Sequence, residues 1–135
     1  MIPRALAYAW AAPATLIGLS LALPALFGSG RAGWHRGVLE VSGGLPGWLL
    51  ARRLPVSGAV AAITLGHVVL AVSPEALVAT RRHERAHVRQ YECWGPLFLL
   101  AYPLASLLAW TRHRHPYRDN AFEIAARREE RARRA

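Results

Sequence analysis

In the stretch His83-Glu84-Arg85-Ala86-His87, two histidines stand four residues apart with a glutamate beside the first. Residues i and i+4 of an α-helix lie on one face, so the two imidazoles can bind one metal ion together. The H-E-x-x-H spacing is typical of zinc sites in which the glutamate accepts a proton from water. The pattern therefore predicts a helix with His83 and His87 as zinc ligands and Glu84 as general base.

A catalytic zinc site usually has three protein ligands, so a third ligand is expected elsewhere in the chain. Glu123 lies on a predicted later helix, 36 residues past His87, where Ala125 and Ala126 allow close packing. Its alternative role is a capping box with Asn120, which needs no metal. The other candidates point away on a continuing helix, lie in a basic loop or are better explained as a helix cap: Glu92, Cys93, His113, His115 and Asp119. We therefore predict Glu123 as the third ligand.

Four further residues are predicted to surround the metal: Gln90, Tyr91, Tyr117 and Asn120. Helical spacing places Gln90 and Tyr91 near the metal face, where they would orient ligands, bind substrate or simply pack. Tyr117 would stabilise an oxyanion if its loop folds over the metal. His67 stands alone on an apolar segment, so we predict a packed core histidine with no ligand role.

Two apolar runs bear on the location of the protein. Ala5–Gly28 is 24 residues without charge, and about 20 residues suffice to cross a bilayer. It is predicted to be a membrane anchor, with a cleaved signal peptide or a buried hairpin around Pro13 as alternatives. Pro96–Trp110 is shorter and has arginines on both sides, which predicts a buried core helix or one at the membrane interface. The same charge rule predicts that everything after Arg31 lies on the cytoplasmic side.

Periodicity and turn residues predict an α+β fold with an apolar segment at residues 1–30, either membrane anchor or core helix, and a metal-binding domain at residues 31–135. Residues 31–58 have the signals of short strands and turns, and Ser73-Pro74 marks a turn or a helix start. The predicted elements are a strand at Gly37–Val41, a continuous buried strand at Ala59–Val72 with Ile63, Leu65, His67 and Val69 on one face, the metal helix at about Thr80–Tyr91, the apolar helix at Pro96–Trp110, and a solvated helical end at Arg127–Ala135.

Composition narrows the partners. The net charge is +9 and the 17 basic residues are all arginine, while 53% of the chain is hydrophobic. No alternation of aromatic and basic residues typical of nucleic-acid grooves is visible, so basic charge at a lipid surface is the better account and no nucleic-acid partner is expected. The single cysteine excludes an internal disulfide.

The HERAH pentapeptide followed by Asn120-Ala121-Phe122-Glu123-Ile124-Ala125-Ala126 resembles the gluzincin type of zincin metallopeptidase. More closely, the chain resembles a group of small uncharacterised bacterial proteins whose shared motifs read here as Thr64–His67, His83–Phe98 and Tyr117–Glu123. The resemblance implies a small zincin-like domain with a short sheet, an HExxH helix, an apolar helix and a C-terminal helix that supplies the third ligand. It also implies zinc and a peptide or protein substrate, although the chain is far shorter than most peptidases.

Two alternatives to a membrane-associated zinc metallopeptidase stay open on the sequence alone. The same ligands could bind a zinc ion that only stabilises a small membrane-associated protein. They could also form a hydrogen-bonded cluster without metal.

Overall fold

The computed structural model describes residues 2–52 and 60–135, and it confirms the α+β class. The helices of these ranges are α1 (Arg4–Ala22), α2 (Gly44–Ala51), α3 (Pro74–Trp94), α4 (Phe98–Thr111) and α5 (Ala121–Ala132). The strands are β1 (Arg31–His35), β2 (Val38–Ser42), β3 (Ala62–Leu65) and β4 (Val68–Ala71). Short 3₁₀ turns at Leu23–Phe27 and Gly95–Leu97 follow α1 and α3.

The strands form one mixed sheet in the order β1-β2-β4-β3. β1 and β2 are an antiparallel hairpin whose turn residues Arg36 and Gly37 both have positive φ, as a type I′ turn requires. β2 runs parallel to β4, and β3 runs antiparallel to β4. β3 is therefore an edge strand with one side free of strand partners among the described residues.

The prediction of one continuous strand over Ala59–Val72 is wrong for residues 60–72, and Ala59 lies outside the described residues. Gly66 adopts φ +61 and reverses the chain, so that Thr64 pairs with Val69 across a hairpin. A glycine at the first central position is what a tight II′ turn needs. The predicted common face for Ile63, Leu65, His67 and Val69 is wrong for the same reason.

Helix α3 begins earlier than predicted, at Pro74, because Ser73 caps it by accepting a hydrogen bond from the Ala76 amide. The predicted helix start is thus confirmed and the boundary near Thr80 is wrong.

Alternate residues of β4 bury both faces of the sheet. Val69 and Ala71 pack with Leu77 and Val88 of α3, whereas Val68 and Leu70 pack with Ala22 at the end of α1 and Ala25 in the 3₁₀ turn that follows.

Helix α1 continues through Pro13, so a hairpin at that proline is wrong. Its buried side consists of small residues, which lets it lie close against the rest of the fold: Ala7, Ala11, Ala14, Gly18 and Ala22. Ala11 and Ala14 contact Tyr91 and Phe98, so the N-terminal segment packs as a core helix on one side. Its other side exposes large apolar residues, among them Leu16 and Trp10.

Helix α4 is not the buried core helix that was one expectation. Only Phe98 and Ala109 of this helix are buried, and Leu100, Leu104, Leu107 and Leu108 are all exposed. The apolar run was long enough for a core helix, but the neighbouring elements cover only one edge of it. By length and composition, two helical stretches could cross a membrane: Arg4–Ala25 and Pro74–Thr111, the second of which joins α3 and α4.

Candidate metal centre

Two helices bring the three predicted ligands together. His83 and His87 lie one turn apart on α3, and Glu123 extends from the first turn of α5 between them. Glu123 Oε2 lies 2.9 Å from His83 Nε2, and Glu123 Oε1 lies 3.1 Å from His87 Nε2. The two Nε2 atoms are 3.2 Å apart. The three residues are the one group of this kind among residues 2–52 and 60–135.

The donor set suits a small divalent cation. Zinc bonds of about 2.0–2.1 Å at tetrahedral angles separate neighbouring ligand atoms by about 3.3 Å. The two Nε2 atoms are 3.2 Å apart, and each lies about that far from one of the two Glu123 oxygens. With one atom taken from each residue, the ligand atoms lie within 4.8 Å of one another, so small rotations of these side chains would place them around a single ion. Two imidazoles with one carboxylate are also a ligand set that zinc accepts.

His87 is oriented by a hydrogen bond behind its ring, and a carboxylate lies near the corresponding nitrogen of His83. His87 Nδ1 lies 2.8 Å from Gln90 Oε1, while Gln90 Nε2 donates to the Phe122 carbonyl. Because that carbonyl fixes the amide, Gln90 offers His87 an acceptor, which favours a proton on Nδ1 and a lone pair on Nε2. His83 Nδ1 faces the Glu130 carboxylate at 3.7 Å. The expectation that Gln90 orients a ligand fits this arrangement.

Glu123 is almost fully buried, with 2% of its surface exposed. Burial alone would raise the pKa of its carboxyl, but hydrogen bonds with His83 and His87 outweigh burial and lower it. The Tyr102 hydroxyl adds a third hydrogen bond at 2.6 Å to Oε1. Burial on its own lowers the pKa of His87, whereas the hydrogen bond and the charge of Glu123 raise it overall.

Asn120 holds this carboxylate in place without touching it. Its Oδ1 caps α5 by accepting from the Phe122 amide, and its Nδ2 donates to the Tyr102 carbonyl and to Ser106 Oγ on α4. The cap that was the alternative role is therefore present. The Glu123 half of a capping box is absent from the described contacts, because that carboxylate is directed to the histidines.

The expected general base lies beside the ligands and out of solvent. Glu84 is 5% exposed, and its Oε2 accepts a hydrogen bond of 2.6 Å from Thr64 Oγ1 of the edge strand β3. Burial raises the pKa of the Glu84 carboxyl against opposing contributions from His87 and Thr64. A buried carboxylate with a raised pKa is what a general base near neutral pH requires.

The cluster lies at the wall of a large cavity of about 800 Å³. Glu84, His87 and Glu123 supply its charged atoms, and most of the remaining lining is apolar, including Phe98 and Leu107 of α4. Tyr91 and Tyr117 also line it. Burial raises the pKa of Tyr117 to about 12, so its phenol remains protonated at neutral pH. Cavities of this volume accommodate ligands of drug-like or short-peptide size.

The less favoured third ligands lie elsewhere. Cys93 is exposed, and Glu92 binds His67 Nε2 at 2.9 Å, on another side of α3. Asp119 accepts from the His115 amide and does not cap α5, which corrects its predicted cap role. His67 is buried and outside the cluster, as expected. The solvated face predicted for Arg127–Ala135 is wrong in part, because Glu129 pairs with Arg89 and Glu130 faces His83.

Sequence reasoning missed four residues of the site: Thr64, Tyr102, Ser106 and Glu130. A signal for two of them was present, since Tyr102 and Ser106 are polar residues four apart in an apolar run. That spacing puts both on one side of a helix. The signal for Glu130 was its distance of seven residues from Glu123, again on one helix face. Thr64 could not be identified because the hairpin turn after it was not recognised.

A scan against protein-family models finds none that matches this chain, and searches of curated proteins and of solved structures likewise find no significant match.

Proposed function

We propose that this protein is a membrane-associated, zinc-dependent hydrolase and, more narrowly, a small metallopeptidase. The observation that supports it best is the convergence of His83, His87 and Glu123 beside the buried Glu84, at the wall of a large apolar cavity. Zinc on these three ligands would polarise a carbonyl group and lower the pKa of water towards about 7. The chain's own residues perform the remaining tasks.

Glu84 is the general base of the proposal. Thr64 holds its Oε2, which leaves Oε1 to accept a proton from the water that attacks the substrate carbonyl. The same carboxyl then donates that proton to the leaving nitrogen, so Glu84 ends the cycle ionised. Tyr117 lines the same cavity with a protonated phenol, so it can donate a hydrogen bond to the oxyanion that develops on the carbonyl.

The edge strand and the cavity define the substrate class. β3 has a free edge among the described residues and lines the cavity with Ala62–Leu65, so an extended peptide can pair with it through backbone hydrogen bonds. The apolar walls favour a substrate with large apolar side chains next to the scissile bond. The carboxylates at one wall would disfavour an acidic side chain there.

Membrane association is the second part of the proposal. Large apolar side chains are exposed along α1 and α4, and Leu107 and Trp110 of α4 both line the cavity and reach its surroundings. Apolar patches of this extent mark lipid or protein contacts in most proteins. Arginines flank α4 on both sides, which by the positive-inside rule favours the cytoplasmic side of the membrane for the metal centre.

The test compares wild type with Glu84→Gln and with Glu75→Gln, a control at an exposed position of the same helix. We expect Glu84→Gln to retain stoichiometric zinc and to lose about 10²–10⁴-fold in cleavage rate on a library of apolar peptides, read by mass spectrometry. Glu75→Gln should cleave like wild type. Full activity in Glu84→Gln would refute the assignment of the base.

One observation favours a second candidate, a zinc ion that only stabilises the fold. His83 and His87 come from α3 and Glu123 comes from α5, so a bound ion would tie these two helices together beside the hydrogen bonds of Gln90 and Asn120. In that case wild type would cleave no peptide, and zinc removal would lower the melting temperature of wild type and Glu84→Gln alike.

A further inference from the structure

Helix α3 has a second face with charged residues, besides the face that carries the candidate metal ligands. Arg85, Arg89 and Glu92 repeat at spacings of four and three residues, so they share one side of the helix. That side lies about 200° around the axis from His83 and His87, since each residue turns the helix by about 100°. These three residues line a hollow of about 180 Å³ that the metal ligands do not line.

Arginines from three elements converge on this hollow, which we call the arginine hollow. Arg4 comes from the first turn of α1, Arg36 from the turn between β1 and β2, and Arg85 and Arg89 from α3. Like charges that lie close together repel one another unless an anion lies among them. The convergence is therefore a cost to the fold that a bound anion would remove.

The available acids compensate this charge only in part. Glu129 pairs with Arg89, and Glu92, the one acid of the described lining, binds His67 Nε2. Within residues 2–52 and 60–135, no carboxylate lies in ion-pair distance of Arg4, Arg36 or Arg85. Three arginines thus line the hollow without an ion-paired carboxylate in the described chain, and Glu40 acts on Arg85 only from beyond ion-pair distance.

The hollow is built and not only a chance meeting of surface side chains. Arg85 is fixed by hydrogen bonds to the carbonyls of His35 and Arg36, which hold the turn that carries Arg36. Tyr8 donates to the Gly37 carbonyl and stacks on the His67 ring at 4.0 Å. These contacts tie α1, the turn and α3 together around the hollow before any ligand arrives.

Two residues that line the hollow each have a buried polar atom without a hydrogen-bond partner among the described residues. His67 lines the hollow and is 3% exposed, yet its Nδ1 has no hydrogen-bond partner among the described residues. Arg89 Nη2 is buried and unpartnered in the same sense. Buried polar atoms without partners are rare in folded proteins, and a bound anion would supply the acceptor that the Arg89 Nη2 donor lacks. Because His67 Nε2 donates to Glu92, Nδ1 of this ring is an acceptor, and a hydroxyl group of the bound ion or a water would be its partner.

We propose that the arginine hollow binds a phosphate group. Phosphate carries up to two negative charges and accepts several charge-assisted hydrogen bonds, which suits a set of planar guanidinium donors better than a single carboxylate does. The volume is below the range of pockets for drug-sized ligands, so the phosphate itself is the part that enters. This inference does not depend on the proposed hydrolase activity.

The surroundings allow two sources for that phosphate, a free phosphate ion or the headgroup of a phospholipid. Arg4 and Tyr8 begin helix α1, whose neighbouring residues Leu6 and Trp10 are exposed. A lipid whose acyl chains cover this apolar side would bring its headgroup to the level of Arg4.

The test uses the purified full chain in a neutral detergent, with two double variants that remove the same charge. Arg4→Gln/Arg36→Gln removes two exposed arginines of the hollow, and Arg82→Gln/Arg128→Gln removes two exposed arginines outside it. Calorimetric titration with inorganic phosphate at constant ionic strength measures the free ion. Flotation with phosphatidylcholine vesicles, with and without phosphatidic acid, measures the lipid headgroup.

We expect the hollow variant to weaken phosphate or phosphatidic acid binding by about tenfold for each guanidinium removed. The control variant should stay within about twofold of wild type, as expected for distant surface charges. If the hollow variant loses binding both in the phosphate titration and in the vesicle flotation, free phosphate is a sufficient ligand. If it loses binding only to the vesicles that contain phosphatidic acid, the ligand is the lipid headgroup. Wild-type binding in neither assay, or an equal loss in both variants, would overturn the proposal. Because phosphate on a zinc ion would survive Arg4→Gln/Arg36→Gln, the metal centre cannot imitate the expected result.

Discussion

Helices α4 and α5 follow each other in the chain, and each departs from the rule that polar side chains are exposed and apolar ones are buried. In α5 a charged side chain is buried, whereas in α4 apolar side chains are exposed. α5 buries a carboxylate, Glu123, to 2% exposure, whereas α4 leaves Leu100 and Leu104 66% and 62% exposed. Buried acids are rare unless a cation or several donors compensate them. Broad exposed apolar surfaces are rare unless lipid or protein covers them. His83, His87 and Tyr102 already compensate Glu123, whereas Leu100 and Leu104 remain exposed. We propose that a cation joins the first site and that lipid covers the second surface.

The largest effect is expected from a variant that changes the surroundings of the buried carboxylate of α5. His87→Ala removes one proposed metal ligand and one of the groups that compensate buried Glu123. We expect zinc affinity to fall by at least about a hundredfold, because even residues behind metal ligands contribute ten- to a hundredfold. We also expect a loss of about 3–5 kcal/mol in the free energy of unfolding, measured by chemical denaturation. His113→Ala, in an exposed loop, is the control; equal zinc binding in both variants would contradict the account.

The second prediction concerns the exposed leucines of α4. Leu100→Ser/Leu104→Ser should weaken partition into phosphatidylcholine vesicles by at least about tenfold, since burying a leucine contributes about 1.5–3 kcal/mol. Stability in detergent should change by less than about 0.5 kcal/mol per site, as for other surface positions. Val78→Ser, an exposed apolar position on α3, should leave partition unchanged. If the α4 variant partitions like wild type, this surface does not contact lipid.

The third prediction sharpens the boundary between the two helices, where Tyr102 of α4 donates to Glu123 of α5. Tyr102→Phe removes one hydroxyl and should weaken zinc affinity by about tenfold while the fold is kept. Tyr91→Phe is the matched control, because Tyr91 lines the same cavity and is buried, whereas Tyr102 is half-buried. A competition titration with a zinc-chelating dye measures both. Equal affinities would show that the Tyr102 hydroxyl does not orient the ligand.

The smallest expected effect concerns pH. In metal-free protein the pKa of His87 is raised in the folded state above its ordinary value of 6.5. The folded state then binds a proton more tightly than the unfolded state, so this contribution to stability is complete below pH about 6.5 and is lost as pH rises through the raised pKa. Zinc binds only unprotonated imidazole, so its stabilisation increases with pH over the same window.

The free energy of unfolding is measured between pH about 6 and 8 for wild type and for His87→Gln, and the difference between the two isolates the contribution of His87. This difference should fall with rising pH when a chelator is present and rise with pH when zinc is saturating. Parallel slopes in the two conditions would mean that zinc does not bind at this histidine.

The metal face could be predicted from the sequence because helical spacing alone puts His83 and His87 together. The convergence of Glu123 was also predicted, from its position on a later helix and the small residues beside it. What periodicity could not supply was the tertiary surroundings of these residues. Thr64 reaches Glu84 only because Gly66 turns the chain, and a lone glycine in an apolar β-branched run is a weak turn signal.

The exposure of α4 was equally beyond reach of the sequence. An apolar run of this length is the same whether protein or lipid covers it, and only the positions of α3 and α5 reveal which side chains remain outside. The arginine hollow is formed by three elements distant in the chain, so the sequence predicted only basic charge at a lipid surface and did not bring these arginines together.

The most direct test of the central claim is a crystal structure of the purified full chain with anomalous diffraction recorded on either side of the zinc absorption edge. We predict one zinc peak between α3 and α5, about 2.0–2.2 Å from His83 Nε2, His87 Nε2 and a Glu123 carboxylate oxygen. A protein saturated with zinc that shows no anomalous peak there, with Glu123 still hydrogen-bonded directly to both histidines, would contradict the account.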